Sequence, residues 1–302
     1  MIHITEEDVR KNLDVKELIS ELDIAFQDYG RGDAESSARN RIFTGSGFLN
    51  TMPAFWRRYD ISGLKAYLGS AAGAKFVVII FQESNMDEYY ILDADRLGQM
   101  RTGALPAMLT KKIVRKKDPN FLLIGSGYQA ETQLLAMKEA YSLSEAHVYS
   151  RTREHAEEFS RRMGKELGIS IRVENNAEDL SPFDIVSTIT NSKEPIITGK
   201  SIPDRIHLNL CGANLKFRRE ATDEAMSMMD LIVVEHADQA GAESADTGNE
   251  AVGDRIVELK DFMLSPEFHG KRSAFKTMGI GLEDVVAAHT VLRKMGYLKG
   301  DK

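Results

Sequence analysis

A chain of 302 residues, 42% hydrophobic and 28% charged, is long enough for one large domain or two smaller ones, and two is the expectation. Its 39 Lys+Arg against 46 Asp+Glu leave a net charge of −7, which excludes a general electrostatic pull toward nucleic acid or an anionic membrane. A lone cysteine, Cys211, excludes an internal disulfide, and no Cys/His cluster has metal-ligand spacing, so a reducing compartment and no metal are expected.

The opening MIHITEEDVRKNLD lacks the apolar core of a secretion signal, and the longest apolar stretch, Phe76 to Phe81, is too short to span a bilayer. A cytoplasmic protein is therefore expected. Two helices begin the chain. Thr5 and Asp8 have capping-box spacing, and Val15, Leu18, Ile19, Leu22 and Phe26 form one apolar face that ends at Gly30 and Gly32. From Ser37 to about Asp93 the pattern changes to short β-rich runs (ARNRIF, FLNTMPAF, GLKAYLG, KFVVIIF, EYYILDA) between Gly, Asn, Asp and Ser clusters, as in an antiparallel sheet. A helix is predicted from about Gly103 to Val114. Its basic end (Lys111, Lys112, Arg115, Lys116, Lys117) suits a helix C-terminus and reads as a solvated face.

After Pro119 the rhythm is strand, helix, strand: NFLLIGSG, YQAETQLLAMKEAYSL, AHVYS, a helix over about 153–167, then ISIRVE. FDIVSTIT, HLNLCG and DLIVVEH follow as short buried strands, and the alternation predicts an α/β, doubly wound parallel sheet of Rossmann type. An amphipathic helix over 282–297 closes the chain, either capping that sheet or returning to the first module.

Gly125, Ser126, Gly127, Tyr128, Gln129 and Ala130 follow a predicted strand and open a predicted helix, the context that a dinucleotide fingerprint requires. Two glycines permit a tight turn and close approach to a pyrophosphate, while Ala130 keeps helix and strand together. The bland alternative is a tight strand-to-helix turn. About 20 residues on, an NAD site usually places Asp or Glu; here stand Ser150, Arg151, Thr152 and Arg153. Cationic and hydroxylated side chains suit a 2′-phosphate, so NADP(H) is favoured over NAD(H), unless Thr152 only caps the helix and the arginines are solvated. Outside this segment the informative residues are Arg41, Lys65 and Arg101. Arginine forks grip carboxylates, and a lysine near a reacting nitrogen supplies charge or a proton.

Several ordered segments together resemble the ornithine cyclodeaminase/mu-crystallin family over nearly the whole chain: Met52-Pro-Ala54, Gly63-Leu-Lys65, Arg101-Thr-Gly-Ala104, the GSGYQA turn, Thr188-Ile-Thr190, His207 to Ala213, and Phe275 to Asp284. The resemblance implies that 1–117, with 282–302 returning to it, is a substrate-binding and dimerisation domain, and that 118–281 is an inserted dinucleotide-binding domain. It also implies that Arg41, Lys65 and Arg101, with Met52 nearby, converge on a substrate carboxylate, fixing a small amino or imino acid against the nicotinamide. Thr102, Thr188, Thr190, Cys211 and Gly212 would lie with the cofactor, in a homodimer without nucleic-acid or membrane partners. Family cyclodeaminases look to carry an aspartate just after the glycine of the HxNxxG segment, where this chain reads Gly212-Ala213-Asn214. Asparagine cannot accept a proton at neutral pH. Asn214 is thus either a changed catalytic position or a simple turn residue. The departure favours ketimine or pyrroline-2-carboxylate reductases and alanine-dehydrogenase-like enzymes over ornithine cyclodeaminase, a lyase, or a non-catalytic mu-crystallin-like binding protein.

Overall fold

Alternating apolar residues between residues 34 and 93 build a sheet whose inner face is buried and whose outer face is not. The computed structural model of the chain describes residues 1–248 and 250–298. It divides into two compact units, Met1–Leu105 with the chain from Gly279 on, and Pro106–Met278.

In the first unit, β1 (Ile2–Ile4) precedes α1 (Glu6–Asn12), which Thr5 and Asp8 cap reciprocally, and α2 (Val15–Arg31). Gly30 lies inside α2; the left-handed stop is Gly32 alone, at φ 82°. Then come β2 (Ala34–Ser36), β3 (Asn40–Phe43), β4 (Gly47–Trp56), β5 (Ile61–Ser70), β6 (Gly73–Gln82) and β7 (Asn85–Asp93). The sheet runs β1-β7-β6-β5-β4-β2, with β3 also on β4, and only β1–β7 is parallel. The period of two places Met52, Ala54, Trp56, Ile61, Lys65, Val78, Ile80, Tyr90 and Leu92 on the buried face. α3 (Asp95–Ile113) starts eight residues before its expected position, and the division between units falls within it. Its first turns carry no apolar period because tertiary anchors hold them: Leu97 and Met100 are buried, and the Arg96 N–H donates to Glu6 Oε1 at 2.8 Å.

The second unit contains β8 (Phe121–Ile124), α4 (Tyr128–Tyr141), β9 (Glu145–Tyr149), α5 (Arg153–Leu167), β10 (Ser170–Val173), β11 (Ile185–Thr188), β12 (Ile206–Leu210), α6 (Asp223–Ser227), β13 (Leu231–Val234), α7 (Ala237–Glu243), β14 (Ile256–Glu258), α8 (Leu259–Phe262) and β15 (Arg272–Lys276). All eight strands are parallel, in the order β10-β9-β8-β11-β12-β15-β13-β14. Chain order reverses between β8 and β11, and such a switch point opens a crevice at the strands' C-terminal ends. Of the basic run on α3 and just beyond it, Lys116 pairs with Asp184 at 2.7 Å and Lys111 is exposed.

The last helix, α9 (Gly281–Lys294), belongs to the first unit and packs on α2 and on β4, β5 and β6. It is not amphipathic over its first three turns: every residue from Gly281 to Leu292 is buried. A Cβ on Gly281 would come 2.3 Å from the Met52 carbonyl oxygen, so only glycine lets the helix start this close to β4.

Candidate active site

Four side chains of the first unit form one buried ionic cluster. Lys65, on β5, donates to Asp284 Oδ1 at 2.9 Å, and Arg101, on α3, brings Nε to the same oxygen at 3.3 Å and Nη1 to Glu283 Oε2 at 3.0 Å. Both carboxylates are fully buried in the first turn of α9, where the helix dipole favours negative charge. Glu283 Oε1 also accepts the Ile280 N–H at 2.8 Å, which caps the helix. Lys65 is 3% exposed, with its ammonium 5.7 Å from the Tyr67 ring centre and 5.3 Å from that of Phe76. Burial, then the positive charge of Arg101, lower its pKa to about 8, against the opposing pull of Asp284.

Arg41 shares this face of the sheet. It stands opposite Asn50 in the β3–β4 register, its Nε donates to Asn50 Oδ1 at 3.0 Å, and the neighbouring inward row on β4 and β5 is Met52 and Lys65. Met52 is 1% exposed. Sequence reasoning passed over Arg39, whose Nη2 donates to the Gly279 carbonyl at 3.4 Å, beside the same glycine that the Arg101 guanidinium packs against. Arg39, Arg41, Lys65 and Arg101 against Glu283 and Asp284 leave positive charge in excess, which suits a small anion. Thr102 spends its hydroxyl on the Gly98 carbonyl at 2.7 Å, one turn back in its own helix.

In the second unit, the glycine turn sits at the switch point and opens onto a cavity of about 390 Å³. Gly125 has φ 123°, and a Cβ there would approach the Ile189 carbonyl oxygen to 2.5 Å, so the turn requires glycine. Gly127 is the N-cap of α4 with open space where a Cβ would point, and buried Ala130 closes the first turn by donating its N–H to the Gly127 carbonyl. Open backbone at a helix N-terminus can receive a pyrophosphate. Ser126 also lines the cavity; Tyr128 is half exposed, and Gln129 follows it in the first turn. Ser150, Arg151 and Thr152 line the cavity with His155, which the sequence reading did not single out. Thr152 occupies the N-cap position of α5 without a side-chain capping bond, and Arg153 is committed to Glu157 and Asn175.

The remaining expected positions rest on a second buried ionic network. Glu220 accepts the Thr190 N–H and hydroxyl through Oε1, at 3.1 and 3.2 Å, and the Gly212 N–H through Oε2 at 2.7 Å. Lys276 is fully buried; it lies 3.2 Å from Asp246 and donates to the carbonyls of Leu210 and Ala213. Asp246 Oδ1 in turn accepts the N–H groups of Glu220 and Ala221. Charged groups thus pin both ends of the turn 210–213. Thr188 turns its hydroxyl to the Asn209 carbonyl, and burial pushes the Cys211 thiol well up. Asn214 is exposed and has no hydrogen bond among the described residues. His207 and Asn209 are occupied beneath the sheet: the ring bonds Ser273 Oγ and Asn209 Oδ1, and burial lowers its pKa to about 4.

Among the described residues, no group of three or more His, Cys, Asp or Glu side chains could hold a metal ion, and no helix is long and apolar enough to cross a membrane. Comparison with known proteins matches residues 2–296 to the model of the ornithine cyclodeaminase/mu-crystallin family. The ketimine reductase mu-crystallin of Rattus norvegicus is 29% identical over 254 residues, covering 81% of this chain and 80% of the relative. The alanine dehydrogenase of Archaeoglobus fulgidus is 26% identical over 95% of this chain and 93% of its own. Among solved structures, the Thermococcus litoralis Δ1-pyrroline-2-carboxylate reductase in complex with NADH and L-proline superposes with a TM-score of 0.88, at 24% identity, over 97% of both chains.

Proposed function

The chain belongs to the ornithine cyclodeaminase/mu-crystallin family, and we propose that it is an NAD(P)H-dependent reductase of a C=N bond next to a carboxylate, working reversibly as an amino-acid dehydrogenase. What carries the reading is the meeting of Lys65 and Arg101 on one buried carboxylate, at a face that Arg39 and Arg41 make net positive. When bound, a reduced nicotinamide supplies the hydride that such a reduction needs at carbon. Arg41 and Arg101 fix the substrate carboxylate, beside Met52, and so orient the neighbouring imine. Lys65, half-titrated near pH 8, supplies the proton at nitrogen, close to the operating range where general acids work best.

Gly125 to Ala130 would hold the pyrophosphate, with Thr188, Thr190, Cys211 and Gly212 lining the rest of the cofactor's path. Arg151, with Ser150, Thr152 and His155 around it, favours the 2′-phosphate of NADPH over the bare hydroxyl of NADH. Ile42, Leu49, Leu68 and Phe81 project from the outer face of the first unit's sheet and remain exposed, which supports a homodimer closed through that face. The kin named ketimine reductase and alanine dehydrogenase support the reaction class.

The test follows nicotinamide absorbance with cyclic ketimine carboxylates, pyruvate plus ammonia, and ornithine with proline detection. NADPH consumption on an imine, abolished in folded Lys65→Met, is expected. Proline and ammonia from ornithine with no net cofactor change would make Asn214 part of a cyclodeaminase instead, and ligand binding without turnover would make the chain a binding protein.

A further inference from the structure

The carboxylate that fixes Lys65 has no role in the chemistry so far. Asp284 is fully buried, makes its closest contact with the ammonium at 2.9 Å, and comes from the last helix of the chain, 219 residues away in sequence. We propose that Asp284 is the positioning residue of Lys65: its carboxylate aims the ammonium at the substrate nitrogen and keeps it charged between turnovers. The inference rests on the reading of Lys65 as the group that meets that nitrogen.

The groups facing Lys65 divide into those that expel a proton and those that retain it. From α3 comes Arg101, whose positive charge opposes a second cation, together with Gly98, where a Cβ would stand 3.3 Å from Nζ. From the sheet come the rings of Tyr67 and Phe76, whose faces lie beside the ammonium and favour its charged form. From α9 come Asp284 and, further off, Glu283, the two carboxylates that favour the charged form. Glu283 is already committed to Arg101 and to the Ile280 N–H, so Asp284 is the group that directly holds the ammonium. In the reductive step an N–H bond of Lys65 would break as the substrate nitrogen gains its proton, the hydride needed at carbon being what a reduced nicotinamide would supply when bound. Lys65 is left neutral and Asp284 anionic. A neutral amine beside a buried carboxylate regains a proton from solvent, and that recharging readies the site for the next imine.

Competitive acetylation of the whole protein with acetic anhydride, from about pH 6 to about pH 10, reads the titration of Lys65 by mass spectrometry of its peptide and needs no turnover. The wild-type midpoint is expected near 8. In Asp284→Asn it should fall by about one pH unit or more, the scale on which a neighbouring opposite charge moves a titration. Asp284→Glu, which restores the carboxylate, should return it toward the wild-type value, and it keeps the test open if the asparagine variant folds poorly. The alkaline limb of the kcat/KM profile on an imine should move with the labelling midpoint. A folded Asp284→Asn protein whose Lys65 titrates as in the wild type, or an Asp284→Glu protein displaced as far as the asparagine variant, would overturn the proposal. A shifted midpoint in a protein that reduces no imine would leave the Lys65–Asp284 coupling standing and remove the reductase reading. Imine reduction with an unmoved midpoint and limb would do the reverse.

Discussion

Lys276→Met tests whether the turn that carries Cys211 and Gly212 is held by charge. Lys276 has no exposed surface; its ammonium lies 3.2 Å from Asp246 and donates to the carbonyls of Leu210 and Ala213, while the neighbouring Glu220 binds Gly212 and Thr190. Methionine fills a similar volume but strands two buried carboxylates. Removing one partner of a buried pair costs about 3–5 kcal/mol. For a unit of this size that corresponds to a fall in Tm of roughly 6–20 °C. The loss should also depend on pH. Burial already raises the Glu220 pKa above its ordinary 4.5, with Lys276 pulling it down, so removing Lys276 raises it further. A carboxyl that holds its proton more tightly in the folded than in the unfolded state favours folding in acid; the penalty is absent below the unfolded pKa and grows as pH rises through the folded one. Thermal unfolding of wild type and variant at pH 5 and pH 8 should therefore show the larger gap at pH 8, and Lys276→Met with Asp246→Asn should recover part of it. A loss below about 1 kcal/mol, or one equal at both pH values, would refute the claim that these charges compensate one another.

Two further outcomes are expected. Arg151→Ser should raise KM for NADPH on the order of 10- to 100-fold and leave KM for NADH nearly unchanged, the scale of a lost hydrogen bond to a charged group; equal effects on both cofactors would remove the 2′-phosphate assignment. Leu68→Glu, with or without Phe81→Glu, places charge on the exposed apolar face of the first unit's sheet and should halve the mass of the proposed homodimer seen by light scattering without lowering helix and strand content, whereas an unaltered mass would remove the assignment of that face as an interface.

What the sequence made legible were periodicities and turns. The five β-rich runs of the first unit appear as β3 to β7 because alternate residues are buried, and the glycine turn announces itself because only glycine tolerates the conformation at 125. β15 was invisible for a physical reason. It lies between β12 and β13 in the middle of the parallel sheet, yet it reads Arg-Ser-Ala-Phe-Lys, and its buried Ser273 and Lys276 break the apolar run by which a central strand is recognised. Those polar side chains are affordable there only because His207, Asp246 and two carbonyls satisfy them, partners that periodicity cannot show.

The same limit hid the counter-ions of the proposed site. Glu283 and Asp284 open a helix, where acidic residues are ordinarily solvated and serve the dipole, so nothing local distinguishes them from Glu6 and Glu7, which open α1. Their meaning comes from α9 being buried on every side, which leaves their charge no solvent and forces each to find a cation from β5 or α3. The cations were legible as candidates, because arginine and lysine in β-rich and glycine-rich surroundings suggest an anion clamp. How much of their charge remains available to a substrate is set by carboxylates from the far end of the chain. An estimate of the site's electrostatics from Arg41, Lys65 and Arg101 alone therefore overstates its attraction for an anion, and Arg39 restores only part of the difference.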